Sequence, residues 1–241
     1  MKKTVTQADW DRMKATFEPK AEPPPPACPD CKDTGWKDVV EESHGCDPIH
    51  GVTRCGCQIR KIAAERAKNA IESLDKMFHD ADLYKFEEKN DWQGRAHAIV
   101  VSEPLESYLF TGPNDRGKTY LMAAQFRACM EAGVECHFRT ARQLVDELRK
   151  HETTDGYISD VWDKADAHPE YHLFIDDIDK VNFERTGFRQ EILFELINKI
   201  YARLNGITFT SNMSLHDLAK NGIISISVGR RLDERCTIVE F

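Results

Sequence analysis

Along the second half of the chain, short apolar runs alternate with segments whose apolar residues return every three or four positions. AIVVS (98–102), SYLFTG (107–112), VECHFRT (134–140), YHLFIDDID (171–179), GITFTSN (206–212) and RCTIVEF (235–241) are brief and rich in aliphatic, β-branched or aromatic residues. Each is predicted as a strand. KTYLMAAQFRACMEAG (118–133), ARQLVDELRKH (141–151) and RQEILFELINKIYARL (189–204) have helical periodicity, the first ending near Gly133. Such alternation implies parallel strands with helices on both faces, an α/β fold. No repeat at a period of 20–50 residues interrupts it.

Upstream, Ile59, Ile62, Ala63, Ala67, Ala70, Ile71, Leu74 and Met77 share one helical face. Val5, Trp10, Met13 and Phe17 are spaced in the same way, which fits a partner-docking helix and a helix packed on its own domain equally well. Between these segments, AEPPPPAC places four consecutive prolines where no helix interior can form, so a stiff polyproline spacer is expected. The expected organisation is therefore a helical segment over 1–22, a spacer and cysteine module over 23–57, a connecting helix and linker over 58–91, and the α/β domain over 92–241.

A chain of 241 residues, 41% hydrophobic, is long enough for one sizeable core and a smaller module. Its formal charge of −8 argues against a uniformly positive surface, so nucleic-acid contact needs a local patch or a partner. There is no run of eighteen apolar residues, and MKKTVTQADWDRMK has no apolar stretch after its lysines. A soluble, intracellular protein without membrane contact is expected. Five of the eight cysteines fall between residues 28 and 57, which points to metal rather than disulfides. Cys28 and Cys31 form CxxC; Cys55 and Cys57 form CxC after 23 intervening residues. Two close thiolate pairs across a loop fit a structural Zn²⁺ site with four Cys ligands; free thiols or a variant ligand set are the alternative, with Cys46 and His50 the nearest substitutes and His44 a weaker one. Cys129, Cys136 and Cys236 lie in apolar segments as expected of buried thiols.

The stretch GPNDRGKTY (112–120) carries the sharpest chemistry. Gly112, four residues, Gly117, Lys118 and Thr119 are the spacing of a phosphate-binding loop, with a strand before it and a helix after it. The loop Pro113, Asn114, Asp115, Arg116 and Gly117, with Tyr120 at the helix start, then directs its backbone N–H groups into one concavity at a helix N-terminus. Lys118 reaches the terminal phosphates and the Thr119 hydroxyl ligates Mg²⁺. The plainer reading is a glycine-bounded turn without a ligand. Some sixty residues on, YHLFIDDID delivers Asp176 and Asp177 to the carboxyl edge of the sheet, where ligands bind in open α/β folds. Asp176 is placed to hold Mg²⁺ through water and Asp177 to polarise an attacking water. Asn212 emerges at the same edge, and VGRRLDER (228–235) carries Arg230, Arg231 and Arg235, as solvated charges or as arginines supplied to a neighbouring subunit.

LFTGPNDRGKTYLMAA, HLFIDDIDKV, RQEILFELINKIY, ITFTSNMSLHDL and GRRLDER, in that order over residues 78–241, resemble the DnaC/DnaI-type helicase loaders, AAA+ ATPases of the IstB-like ATP-binding superfamily. The resemblance implies an AAA+ P-loop NTPase core that binds ATP, engages a replicative DNA helicase, helps place it on single-stranded DNA during replication and associates with copies of itself, in the cytoplasm of a bacterium or phage-infected host. It makes Lys118 and Thr119 the Walker A ligands of ATP and Mg²⁺, Asp176 and Asp177 the Walker B pair, Asn212 sensor 1, Arg231 the arginine finger, and Arg235 its companion. CPDCKDTGW followed by CGC resembles the N-terminal zinc modules of loader-like proteins, which implies helicase binding or control of DNA access. Preference for adenine rests on the resemblance. Asp177 stands where AAA+ proteins commonly have Glu, suggesting slow hydrolysis; Asp115 replaces a frequent glycine; and no C-terminal lid is expected after Phe241. A transposition ATPase and a nucleotide-dead adaptor are the competing readings.

Overall fold

The structure, a computed structural model, describes residues 28–41, 49–86, 91–154, 156–157, 159–167, 170–180 and 190–241. The expected N-terminal helix, the proline spacer, His44 and Cys46 lie outside the described residues, as does the side chain of His50. The chain divides into two compact units, residues 1–58 and 59–241.

In the first unit, β1 (Trp36–Glu41) and β2 (Ile49–Arg54) form an antiparallel pair in which Trp36 faces Arg54 and Val40 faces His50. The sequence pattern did not predict these strands. Their apolar residues do not alternate towards a core: Trp36, Val40 and Val52 are all at least half exposed. A helix, α1 (Gly56–Glu72), begins just past Cys55, and from Ile59 onward its residues belong to the second unit. Its buried residues Ala63, Ala67 and Ile71 recur every four positions, as expected. It stops short of the expected Met77, however. The Ser73 hydroxyl donates to the Ala70 carbonyl at 2.6 Å and the Leu74 N–H closes a tight turn on Ile71. This local competition for backbone carbonyls ends the helix and leaves Met77 71% exposed.

The second unit is built on a five-stranded sheet of β3 (Tyr108–Thr111), β4 (Glu135–Thr140), β5 (Tyr171–Asp176), β6 (Gly206–Ser211) and β7 (Thr237–Glu240), in the order β4-β5-β6-β3-β7. All its pairings are parallel. AIVVS is not a strand: it closes α2 (Asp91–Ser102). Ala96 and Val100, one helical turn apart, are buried while Ile99 is 40% exposed, so the segment's one-sided burial follows the helical period. A five-residue apolar run cannot distinguish the two periods by itself. The helices α3 (Lys118–Glu131), α4 (Ala141–Thr153) and α6 (Gln190–Ala202) occupy the segments expected. Polar-rich α5 (Asp160–Ala167) and short α7 (Leu215–Lys220) had no strong signal, and α8 (Ile226–Arg235) carries the arginine segment.

Strand alternation assigns the two layers. Tyr108, Phe110 and Phe174 point into a cluster with Leu121, Met122 and Phe126 of α3, Ala96 and Val100 of α2, and Ile71, Ala81 and Leu83. Leu109, Leu173, Ile175, Ile207 and Phe209 point the other way, onto α4, α5, α6, α7 and α8. Burying each such side chain contributes roughly 1.5–3 kcal/mol before conformational entropy is counted. No helix among the described residues is long and apolar enough to cross a membrane.

Candidate functional site

Two sites are assembled, one in each unit. In the second, the order of strands puts β6 between β3, which feeds the phosphate loop, and β5, which ends at Asp176. Three consecutive strand ends therefore open on the same carboxyl edge.

The loop's shape depends on two glycines and one aspartate. Gly112 has φ 136°, and a Cβ there would come 2.5 Å from the Phe241 carbonyl. Gly117, at φ 90°, caps α3. Asp115 is also left-handed, at φ 60°, a region Asp enters more readily than most residues. Its side chain is exposed. Arg116 is exposed, and its carbonyl accepts a hydrogen bond from Gln93 at 3.2 Å.

Lys118 is 6% exposed. Its ammonium donates to the carbonyls of Gly112 (2.8 Å) and Pro113 (2.7 Å) and to Asn212 Oδ1 (3.1 Å). Burial lowers its pKa, against the opposing pull of Asp177, Asp179 and Asp176. The Thr119 hydroxyl donates to Asp176 Oδ1 at 2.9 Å and the Thr210 hydroxyl to the same oxygen at 2.5 Å. Burial raises the Asp176 pKa although these two hydroxyls favour its anion. Thr119 and Asp176 thus offer adjacent hard oxygen donors, the chemistry Mg²⁺ requires.

Asp177 leaves β5 in a left-handed conformation, φ 55°. Its N–H donates to Thr210 Oγ1 at 2.8 Å and its carboxylate meets Lys180 at 3.0 Å. Asn212 donates from its backbone N–H and from Nδ2 to the two oxygens of Asp179, each at 3.0 Å. Thr210, Asp179 and Lys180 were not singled out from sequence. The available signal was strand alternation: Thr208, Thr210 and Asn212 fall on one side of TFTSN, and two of the three touch the acidic segment. A cavity of about 340 Å³ borders Asp176 and is lined by Leu74, Phe78, Arg139, Thr140 and Gln143 among others.

The arginines are not brought to Lys118 within the chain. Arg231 lies over the rings of Phe194 (5.4 Å) and Tyr201 (6.0 Å) on α6, with Nη1 buried and without a hydrogen-bond partner among the described residues. Arg235 donates to the Leu204 carbonyl at 2.6 Å, and Arg230 is exposed on α8.

In the first unit, the Sγ atoms of Cys28, Cys31, Cys55 and Cys57 all lie within 4.8 Å of one another. Left-handed Lys32, Asp33 and Gly35 fold the chain back after the CxxC pair. The Cys55 N–H donates to the Gly35 carbonyl at 2.8 Å, so the β1–β2 pairing brings the second pair alongside. Because Cys55 ends the strand connection and Cys57 sits in the first turn of α1, a one-residue spacer turns both thiols to the same point. Burial resists ionisation of Cys31, but hydrogen bonds from Cys57 and the Gly35 backbone outweigh it and bring the thiol to about 7, while the bond to Cys31 pushes Cys57 up to about 12. Four sulfurs set this close together fit a tetrahedral metal ion. Cys129, Cys136 and Cys236 are buried free thiols.

The family model described as IstB-like ATP binding protein matches residues 63–237. No curated protein matches the sequence. Among solved structures, the fold is similar to that of the DnaC helicase loader, with TM-score 0.57 and 21% identity over 69% of this chain and 99% of that one. DnaI gives a TM-score of 0.56 at 19% identity over 70% and 94% of the two chains. AMPPCP-bound DnaA from Aquifex aeolicus gives 0.56 at 20% over 69% and 51%. The chain spans about half the length of that DnaA and of a similar DNA replication initiation factor. At these identities the likeness is one of fold: a five-stranded parallel AAA+ P-loop core, preceded here by a four-cysteine cluster.

Proposed function

The chain belongs to the IstB-like ATP-binding protein family, and from that premise we propose that it is a slowly hydrolysing AAA+ ATPase that loads a replicative helicase onto single-stranded DNA. The observation that carries this reading is the meeting of Lys118, Thr119, Asp176, Asp177 and Asn212 at the ends of three adjacent parallel strands. Lys118 exchanges its carbonyl partners for phosphate oxygens, while the backbone N–H groups of residues 114–119 cradle the phosphates. Thr119 and Asp176 hold Mg²⁺, which when bound offsets the phosphate charge. Asp177 polarises the attacking water and Asn212 orients it. The short Asp177 side chain and its contact with Lys180 at 3.0 Å support slow turnover. Arg231 serves the site of a neighbouring copy, with Arg235 as its companion. The four thiolates hold a structural Zn²⁺, since four protein ligands leave no open position for catalysis.

The partner assignment is supported by similarity to a structure named as a helicase loader and to DnaA bound to single-stranded DNA. A transposition ATPase, the competing reading that the sequence's resemblance to IstB-like ATPases carries, is the second reading. Titration with ATP and Mg²⁺ tests the site: Lys118→Ala is expected to lose binding, and Asp177→Asn to keep binding but stop turnover. If both variants match the wild type in binding and hydrolysis, the site assignment fails; a wild type that does not bind ATP is an adaptor. A helicase-loading assay on single-stranded DNA, with and without ATP, tests the function. Retention of a transposase and not of a replicative helicase in a pull-down would overturn it.

A further inference from the structure

Resting on the ATPase reading above, we propose that Asp179 is a positioning residue that fixes which end of the Asn212 amide faces the phosphate loop. The chain turns out of β5 through left-handed Asp177 into a short 3₁₀ turn, Ile178–Lys180, closed by the Lys180 N–H on the Asp177 carbonyl at 3.0 Å. This turn returns the Asp179 carboxylate to the end of β6. There its two oxygens accept the backbone N–H and the Nδ2 of the same residue, Asn212, each at 3.0 Å.

The chemistry of the partners makes the amide's polarity unambiguous. An ionised carboxylate only accepts and an ammonium only donates. Nδ2 must therefore face Asp179 and Oδ1 must face Lys118, where it lies 3.1 Å from Nζ. Turning the amide over would set the amide oxygen against a carboxylate and the amide nitrogen against an ammonium, losing two charge-assisted hydrogen bonds at once. The consequence is directional. When Lys118 is drawn to phosphate, the end of the Asn212 amide left facing the loop is its Oδ1, an acceptor that can take a hydrogen bond from a water and cannot itself donate to a phosphate oxygen. Asp179 thereby makes Asn212 a water-orienting group, and it ties the strand end carrying that group to the turn carrying Asp177. A residue three positions after Asp176 thus acts on the reaction without touching the reactants.

Steady-state hydrolysis and ATP binding in the full chain test this. Asp179→Asn keeps the shape but replaces one acceptor oxygen with a donor, freeing the amide. It is expected to lower kcat by about ten-fold or more, the factor one charge-assisted hydrogen bond represents. KM for ATP and Tm should stay near the wild-type values, and Asp179→Glu should restore part of the rate. In an Asn212→Ala background, Asp179→Asn should cause no further loss, because its action runs through that amide. Unchanged kcat in Asp179→Asn, losses that multiply in the double variant, or a fall in Tm that Asp179→Glu shares without recovery of rate would each overturn the proposal. A wild type that turns over no ATP overturns the ATPase reading and this one together; a wild type that turns over ATP while Asp179→Asn matches it overturns this one alone.

Discussion

The two units contain the same kinds of local element but draw their stability from different sources. In the second, alternate residues of one sheet are divided between two apolar layers, so Phe174 and its neighbour Leu173 are both fully buried on opposite faces. In the first, the two strands expose Trp36, Val40 and Val52, and what converges is sulfur. Arg54 over the Trp36 ring at 5.9 Å covers part of that surface without creating a core. A sheet with enough layers around it can carry buried polar chemistry at its edge. A two-stranded sheet without such layers needs a covalent or metal constraint.

The largest expected effect separates the units directly. Removing metal with a chelator, or Cys31→Ser, should unfold the 28–58 unit, since a structural zinc contributes on the order of 10 kcal/mol to small domains. Zinc analysis and circular dichroism would read this, while ATP binding by the second unit persists; loss of both together would break the contrast. The converse is Phe174→Ala, which opens a cavity in the second unit and should cost about 3–5 kcal/mol with zinc content unchanged. Differential scanning calorimetry would show one transition moving.

Smaller effects sharpen the comparison within the second unit. Gly112→Ala drives a Cβ to 2.5 Å from the Phe241 carbonyl at a φ of 136°. About 1–3 kcal/mol of destabilisation is expected, with ATP affinity falling alongside it as the loop shifts. An unchanged Tm would show that the β3–β7 edge relaxes freely. Asp176→Asn should act in the opposite sense on stability. Burial raises the Asp176 pKa in the fold, so its stabilising contribution is present below the ordinary carboxylate range and is lost as pH rises through its folded value. The amide should therefore raise the Tm of the nucleotide-free protein at neutral pH, flatten its decline between acid and neutral pH, and abolish Mg²⁺-dependent turnover. A lower Tm at neutral pH would show that the hydrogen bonds from Thr119 and Thr210 outweigh desolvation.

The parts legible in sequence were those carried by short-range spacing. The loop, the helix after it, the strand ending in Asp176 and the four cysteines could be read because each depends on neighbours a few residues away. AIVVS was misread because its helical partners, such as Ala96, lie in a polar-looking stretch and only burial shows the period. The strands around the cysteines were missed because none of their described residues is buried, so the apolar positions mark no inward face to detect. Thr210 and Asp179 were missed for a further reason: their roles arise from contacts of 33 residues' separation in sequence, which no local pattern encodes.

Residue type and spacing alone determined that an α/β core would carry a phosphate loop and a carboxylate pair, and that four thiols would stand in two close pairs. Backbone stereochemistry and side-chain periodicity act over a few residues, and the sequence states them directly. The order β4-β5-β6-β3-β7 was decided only in three dimensions, by which faces could be buried together. That order set Asn212 between Lys118 and Asp179, and the opposite charges of those two residues then gave the amide its direction.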